Sequence, residues 1–441
     1  MMAISTIMYV ASVTRNIYWL EQPEEPMNQI VPFLNQISRY SPLDVLMADV
    51  AVRVQLSPTE YQTAVRHYEV MGEWIDRPAS PLRGRVLSFY AQGGFSTGST
   101  VAGHDEKSEF DLDAMLEVDW PRDIDPEVAL STTHTAIAGD PGSRYHDKCE
   151  RKTRCTQIKY DDMHLDVTPA VLLEEFLPKT SFIFHSKPSD RTVPKETLFA
   201  NPEGLARWFN NRTLRDDAFG HFFEGRSLDY DRARHEMIKA DTSPVPVQMP
   251  AYRKSRQVIC LQLIKRWRNV IYGRKYNGLR PPPSVLLTFY VGLHTNITRS
   301  LTDELIYHVE CIIGKILAAR GSATGLVAEC NPACEADELT DRWPGDKRRQ
   351  NIFLNELEEF AADLKRLKAG LPLPEMRKVL EKLFGEKPAG DAIDAYKARF
   401  VEDNASGKLQ YIPGAGAVPA LGALVAPASA RPIPKSTPFG D

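Results

Sequence analysis

The chain lacks most features of secreted, membrane-spanning or nucleic-acid-coated proteins. Its 441 residues include only six cysteines, too scattered for a disulfide framework, so a cytoplasmic location is expected. The net charge of −4 argues against a protein coated by nucleic acid and leaves room only for a local basic channel, so a nucleic-acid activator is not indicated. Charges or prolines interrupt every apolar run, so we expect no membrane contact. The apolar start has no leading positive charge, which argues against a signal peptide, and Met27 is an equally plausible first residue.

A stretch rich in glycine and hydroxyl side chains is present at residues 93–100, Gly-Gly-Phe-Ser-Thr-Gly-Ser-Thr. It offers bare backbone N–H groups and small side chains, as a phosphate cradle requires. Downstream, one apolar residue separates Asp111 from Asp113. On a β-strand both carboxylates would therefore project to one face, roughly 7 Å apart. Taken alone, such a pair is common, and two solvated carboxylates on a strand edge are the simpler interpretation.

A third acid, Asp166, favours a catalytic interpretation. It lies between apolar residues in a stretch of strand-forming character, residues 157–160 and 163–167. Three acids on two predicted strands beside a phosphate cradle are the parts of a two-metal site for phosphoryl or nucleotidyl transfer.

Three further residues could contact a substrate. Arg154 ends a basic cluster and begins the predicted strand that carries Asp166, so it could meet substrate phosphates or a base edge; a solvated charged face is the alternative. Lys265 lies beside the apolar stripe of a helix predicted over residues 251–272, where lysines usually extend from the edge of a core. Ser284 starts the next helix, either as a cap or as part of an anion site.

Together these motifs resemble the nucleotidyltransferase superfamily, specifically the bacterial cyclic-oligonucleotide synthases (CD-NTases) related to the cyclic GMP-AMP synthase of animals. The resemblance covers residues from about 57 to about 343. It is carried by Gln92-Gly93-Gly94 with Thr100, by Asp111-Leu112-Asp113, by Leu165-Asp166-Val167, and by residues 261–268 and 281–288. Gly94 departs from the pattern, because the family often has a serine there that contacts the triphosphate. The cradle must then use backbone groups or the hydroxyls of Ser96, Ser99 or Thr100.

The resemblance implies an α+β enzyme with a polymerase-beta-like lobe built on a small mixed sheet, a helical C-terminal lobe and a central cleft. ATP, GTP or both would bind in this cleft. The implied nucleotide contacts are Gln92, Gly93, Gly94, Ser99, Thr100, Arg154, Lys265 and Ser284. Asp111, Asp113 and Asp166 would hold two Mg²⁺ ions, with Mn²⁺ as an alternative, and Asp166 would take the proton of the acceptor hydroxyl. The product would be a cyclic di- or trinucleotide messenger for anti-phage (CBASS) signalling, with pyrophosphate released.

We expect four segments. Residues 1–56 form an N-terminal extension and first helix, 57–200 the catalytic lobe, 201–410 the mainly helical lobe, and 411–441 a flexible Gly/Ala/Pro-rich tail. A helix that contains Trp208 and Phe209 is expected within residues 199–223. The tail is compatible with a regulatory or conjugating partner, as in some relatives. Two alternatives remain open: a nucleotidyltransferase that acts on an RNA end, a protein or a small molecule, and a noncatalytic nucleotide-binding protein.

Overall fold

A computed structural model describes residues 41–103, 110–161, 163–173, 179–187, 194–214, 216–237, 254–295, 299–412, 416–419 and 431–433. Met27 and the C-terminal end at residues 439–441, where a conjugating partner was predicted, lie outside these ranges. Within them, no helix combines the length and the apolar character needed to cross a membrane.

A mixed sheet of seven strands forms the first lobe. Its strands are β1 (Val86–Gln92), β2 (Phe110–Val118), β3 (Cys149–Arg151), β4 (Thr156–Lys159), β5 (Met163–Leu172), β6 (Ser181–His185) and β7 (Glu196–Ala200). The main path runs β1-β2-β5-β4-β3, and β6 joins β5 to β7. Only β2 and β5 are parallel, while the other pairs are antiparallel. The two strands that carry the three aspartates are therefore neighbours in the middle of the sheet.

Two helices accompany this sheet, α2 (Pro58–Ile75) and α3 (Pro126–Ala138). The predicted start of α2 is confirmed: Ser57 and Glu60 form a reciprocal capping box, and a proline opens the first turn. The buried Tyr68 hydroxyl of α2 donates to the Phe89 carbonyl of β1 at 2.7 Å. One apolar core is shared by both helices and the sheet.

The second lobe is mainly helical and has its own apolar core. Its helices are α1 (Pro42–Val54), α4 (Pro202–Arg212), α5 (Asp217–Met237), α6 (Arg256–Lys275), α7 (Ser284–Gly292), α8 (Leu301–Ala319), α9 (Lys347–Ala369), α10 (Leu373–Phe384) and α11 (Glu386–Ser406). A two-stranded sheet, β8 (Cys330–Asn331) and β9 (Cys334–Glu338), joins them. Helix α6 lies at the centre, because 16 of its 20 residues are buried. The two separate cores confirm the predicted α+β, two-lobed fold class.

The helix predicted within 199–223 is confirmed as α4, which contains Trp208 and Phe209. Asn201 caps α4 by accepting from the Gly204 N–H at 2.7 Å, and α5 begins before residue 223. Part of the segment predicted as a tail forms strands. Strands β10 (Gln410–Ile412), β11 (Gly416–Val418) and β12 (Arg431–Pro432) form a small sheet. Val418 is buried in the helical core, which supplies the apolar surface that this stretch lacks on its own.

Candidate active site

The three predicted aspartates lie side by side on β2 and β5. Asp113 pairs in register with Asp166, and Asp111 lies two residues earlier on β2. The intervening Leu112 and the flanking Leu165 are buried in the core, so the carboxylates project from the opposite face of the sheet. Asp111 is exposed, whereas Asp113 and Asp166 are half-buried. The sheet register thus gathers three acids from two chain segments onto one open face.

Crowding of negative charge is strongest at Asp113. The pKa of Asp113 is raised to about 7, mainly by burial and then by the charges of Asp166 and Asp111, while Lys265 opposes the rise. Burial also raises the pKa of Asp166, although hydrogen bonds from Gln157 and Cys155 lower it. A cation placed between these carboxylates would relieve both desolvation and mutual repulsion.

The donor set suits Mg²⁺, which prefers oxygen ligands. Among the described residues, no three His, Cys, Asp or Glu side chains come close enough together to hold a metal ion by themselves. Asp166 instead accepts a hydrogen bond from Gln157 Nε2 at 3.0 Å. Mg²⁺ commonly takes only one or two protein carboxylates and completes its shell with water and substrate phosphates. The aspartates therefore fit a magnesium site that is completed by a nucleotide.

A tight turn at residues 93–100 follows β1 and lies against the aspartates. The N–H groups of Thr97, Gly98 and Ser99 donate to carbonyls within the turn, at 3.3, 3.4 and 2.8 Å. Those of Gly94, Phe95 and Ser96 have no acceptor in the described part of the chain. Three successive unpaired N–H groups resemble a helix N-terminus, which is a suitable place for phosphate oxygens. Gln92, the last residue of β1, pairs in register with Asp113.

A Cβ at either glycine at the start of this turn would crowd a neighbouring residue. Gly93 has φ +63°, and a Cβ there would lie 2.8 Å from Asp113 Oδ2. A Cβ on Gly94 would lie 2.8 Å from Thr100 Oγ1 and 3.1 Å from Thr100 Cα. The serine that the family often has at position 94 would not fit this turn. The buried Thr100 hydroxyl has no hydrogen-bond partner in the described ranges.

The helical lobe holds the turn in place. Lys265 Nζ donates to Ser99 Oγ at 2.7 Å and to the Ser99 carbonyl at 3.3 Å. Gln262 Nε2 donates to the Thr100 carbonyl at 2.8 Å, and Asn210 Nδ2 to that of Ser96 at 3.1 Å. The pKa of Lys265 is lowered to about 7, mainly by burial and then by the charge of Arg268, while Asp113 opposes both effects. Lys265 and Ser99, two of the nucleotide contacts that the family resemblance implies, are therefore bonded to each other.

Arg268 is a site residue that the sequence did not single out. It lies one turn beyond Lys265 on α6, so both cations share one face of the helix. Its Nη1 donates to the Pro282 carbonyl at 2.8 Å and to Ser284 Oγ at 3.0 Å. Burial lowers the pKa of Arg268 to about 10, while the charge of Asp111 opposes that effect. Ser284 begins α7 as predicted, and its hydroxyl accepts from Arg268.

Arg154 lies in a bend before β4, the antiparallel neighbour of β5, and not on the Asp166 strand as predicted. The bend is the connection between β3 and β4, which form a hairpin. Arg154 forms an ion pair with Asp341 and donates from Nε to His185 Nδ1 at 3.2 Å. It nevertheless lines a cavity together with Asp166.

Gln157 is a second residue that the sequence did not identify. It lies opposite Asp166 in the β4–β5 register and donates to that carboxylate. The register of a hairpin depends on its turn, so no sequence pattern alone could have paired these two residues.

Comparison with known proteins agrees with this geometry. No family model matches the chain. The cyclic dinucleotide synthase CdnG of Bradyrhizobium diazoefficiens is 32% identical over 403 residues, which are 88% of this chain and 93% of the relative. The solved structure of that CD-NTase in complex with GTP superposes with a TM-score of 0.68 at 30% identity, covering 81% of this chain and 98% of the other. The identity and coverage confirm the resemblance seen in the sequence: the chain belongs to the CD-NTase family of nucleotidyltransferases, the enzymes that synthesise cyclic oligonucleotides.

Proposed function

We propose that this enzyme joins two nucleoside triphosphates, at least one of them GTP, into a cyclic dinucleotide that serves as an anti-phage signal. The similar enzyme is named as a cyclic dinucleotide synthase, and its solved structure contains GTP. The observation that supports the proposal is that two features lie next to each other. Three aspartates share one face of the sheet, and the unpaired N–H groups of residues 94–96 lie beside them.

Each feature has a distinct task. The N–H groups of residues 94–96 would bind phosphate oxygens of the donor nucleotide. Lys265, Gln262 and Asn210 would keep the turn in the conformation that presents these groups. Arg268, beside Asp111, would balance phosphate charge from the side of the helical lobe.

Asp111, Asp113 and Asp166 would hold Mg²⁺, which when bound neutralises phosphate charge and makes an acceptor hydroxyl more acidic. Asp166 lies on β5, the strand next to β4. It is the carboxylate that would accept the proton of the acceptor ribose hydroxyl. Gln157 would orient the Asp166 carboxylate for this role through its hydrogen bond. The hydroxyl oxygen then bonds to the α-phosphorus of the donor, and pyrophosphate leaves. A second transfer within the linear product closes the ring.

The experiment is incubation with the four α-labelled nucleoside triphosphates and Mg²⁺, followed by phosphatase and mass spectrometry. A phosphatase-resistant cyclic dinucleotide containing guanine is the expected product. Labelled protein or RNA would instead identify another acceptor, and no turnover would indicate a nucleotide-binding protein. Removal of divalent ions should abolish product formation, and Mg²⁺ or Mn²⁺ should restore it.

A matched pair of variants tests the metal assignment. Asp111→Asn should lower turnover at least about a hundredfold, because it removes a charged metal ligand, while the fold is retained. Asp119→Asn makes the same charge change at an exposed position just beyond β2 and should leave turnover unchanged. Full activity of Asp111→Asn would contradict the assignment.

A further inference from the structure

A buried arginine of α6, Arg266, binds the backbone that follows the turn at residues 93–100. Its side chain donates from Nη1 to the Gly103 carbonyl at 2.5 Å and to the Ala102 carbonyl at 3.3 Å. Only 3% of Arg266 is exposed. Ala102 and Gly103 lie between the turn and β2 along the chain. Arg266 therefore holds the connection between the turn and the strand that carries two of the aspartates.

The same guanidinium group reaches the end of another helix. Its Nε donates to the carbonyl of Phe384, the last residue of α10, at 2.8 Å. The last carbonyls of a helix have no partner within that helix, and a cation is favoured beside them. One side chain thus joins the end of α10 to the backbone that leaves the turn.

Neighbouring contacts fix the same stretch of backbone. The Ala102 N–H donates to the carbonyl of Val54, the last residue of α1, at 2.9 Å. Gln262 lies one turn before Arg266 on α6, and it donates to the Thr100 carbonyl at 2.8 Å. The backbone after the turn is therefore bonded to α1 and α6 directly, and to α10 through Arg266.

The chemistry of arginine suits this role. A guanidinium group presents donors on different edges of one plane, so it can bind two separate segments at once. A lysine carries its three donors on one nitrogen atom. Lysine at position 266 would keep the charge but would lose one of the two connections.

The aspartates are held in a different way. The pairing of Asp113 with Asp166 is set by the backbone register of β2 and β5 within the sheet. Loss of Arg266 should therefore let the turn move while the carboxylates stay in place. A displaced turn would bind phosphate less well in the substrate complex and in the transition state alike. Such a change raises KM and leaves kcat nearly unchanged.

We propose that Arg266 is a positioning residue for nucleotide binding: it fixes the turn at residues 93–100 relative to the aspartates by joining the backbone after the turn to the end of α10. The inference rests on the proposed function, because it takes the N–H groups of residues 94–96 as the phosphate site. It adds that nucleotide affinity depends on the position of α10.

The test measures pyrophosphate release by Arg266→Lys at varied concentrations of ATP and GTP, with a urea titration of the same variant. KM should rise at least about tenfold, the effect of one lost charge-assisted hydrogen bond, while kcat stays within about threefold of the wild-type value. In Arg266→Ala, guanidinium ion far below denaturing concentrations should lower KM again, and methylammonium should not. If Arg266→Ala does not fold, Arg266→Lys still decides the question.

Arg274→Lys is the matched control. Arg274 lies on the same helix, is exposed and donates to the Glu381 and Lys382 carbonyls of α10 at 3.2 and 3.3 Å. Its replacement should leave KM unchanged.

A wild-type KM in Arg266→Lys, a loss confined to kcat, or an equal rise of KM in Arg274→Lys would overturn the assignment of Arg266. Failure of guanidinium to lower KM in a folded Arg266→Ala would overturn it as well. A wild-type enzyme that makes no cyclic product would instead refute the proposed function.

Discussion

Replacement of Gly93 by alanine tests whether the position of Asp113 governs catalysis. The substitution has two separable effects. Alanine in the left-handed region costs about 1–2 kcal/mol of folding free energy. The new Cβ would also lie 2.8 Å from Asp113 Oδ2, so the carboxylate must withdraw by about 0.6 Å to reach ordinary contact distance. Displacement of a catalytic group on this scale lowers turnover roughly ten- to a hundredfold.

Gly84→Ala separates these effects. Gly84 has φ +69°, and a Cβ there would meet nothing within 4 Å. Both variants should therefore lose a similar free energy of unfolding in urea, but only Gly93→Ala should lose turnover, measured as pyrophosphate release. If Gly93→Ala turns over at the wild-type rate, the carboxylate of Asp113 does not need its present position, and the metal assignment based on it fails.

Three further predictions concern other parts of the molecule. Gly94→Ser should lower turnover. Adding Thr100→Ala to that variant should restore only part of the turnover, because backbone atoms of residue 100 remain 3.1 and 3.2 Å from the new Cβ. Complete restoration would show that only the Thr100 hydroxyl obstructs the serine. Gly292→Ala should destabilise the helical lobe by about 1–3 kcal/mol, since its Cβ would lie 2.5 Å from the Trp208 ring. By contrast, Gly314→Ala on the open surface of α8 should stabilise the protein by up to about 1 kcal/mol in the same urea titration. Finally, burial lowers the pKa of Lys254 to about 7 in the folded protein, so above that pH the unfolded chain binds more protons than the folded one. The free energy of unfolding should therefore rise between pH 7 and 9 by up to about 1.4 kcal/mol per pH unit. Lys254→Met should flatten that rise, and an unchanged pH profile would show that Lys254 is not its source.

Local patterns were sufficient to predict the two strands that carry the aspartates. Alternation places Asp111 and Asp113 on one face of a strand whatever its neighbours are, and the apolar residues around Asp166 mark a second buried strand. A serine, a proline and a spaced glutamate similarly predicted the start of α2. These features depend on residues within a few positions of each other, which a sequence displays directly.

Features that depend on long-range pairing could not be predicted in this way. Gln157 reaches Asp166 only through the β4–β5 register. Arg280 and Arg342 join Arg154 around one cavity because the two lobes pack together. The stretch after residue 410 looked unable to fold because its composition offers little apolar surface, yet Val418 is buried against helices that precede it. In each case the decisive partner lies far away in sequence.

Helix α6 links these distant parts into one site. Its buried positions form the centre of the helical core, while Gln262 and Lys265 bond to the turn at residues 93–100 and Arg268 faces Asp111. Any tilt of α6 relative to the sheet would therefore move Arg268 together with the N–H groups of residues 94–96, which we propose bind phosphate. Burying Lys265 is costly, as its lowered pKa shows, and its bonds to Ser99 offset part of that cost. The arrangement makes packing of the two lobes a condition for a formed donor site, so a variant that loosens α6 should lose turnover before it unfolds.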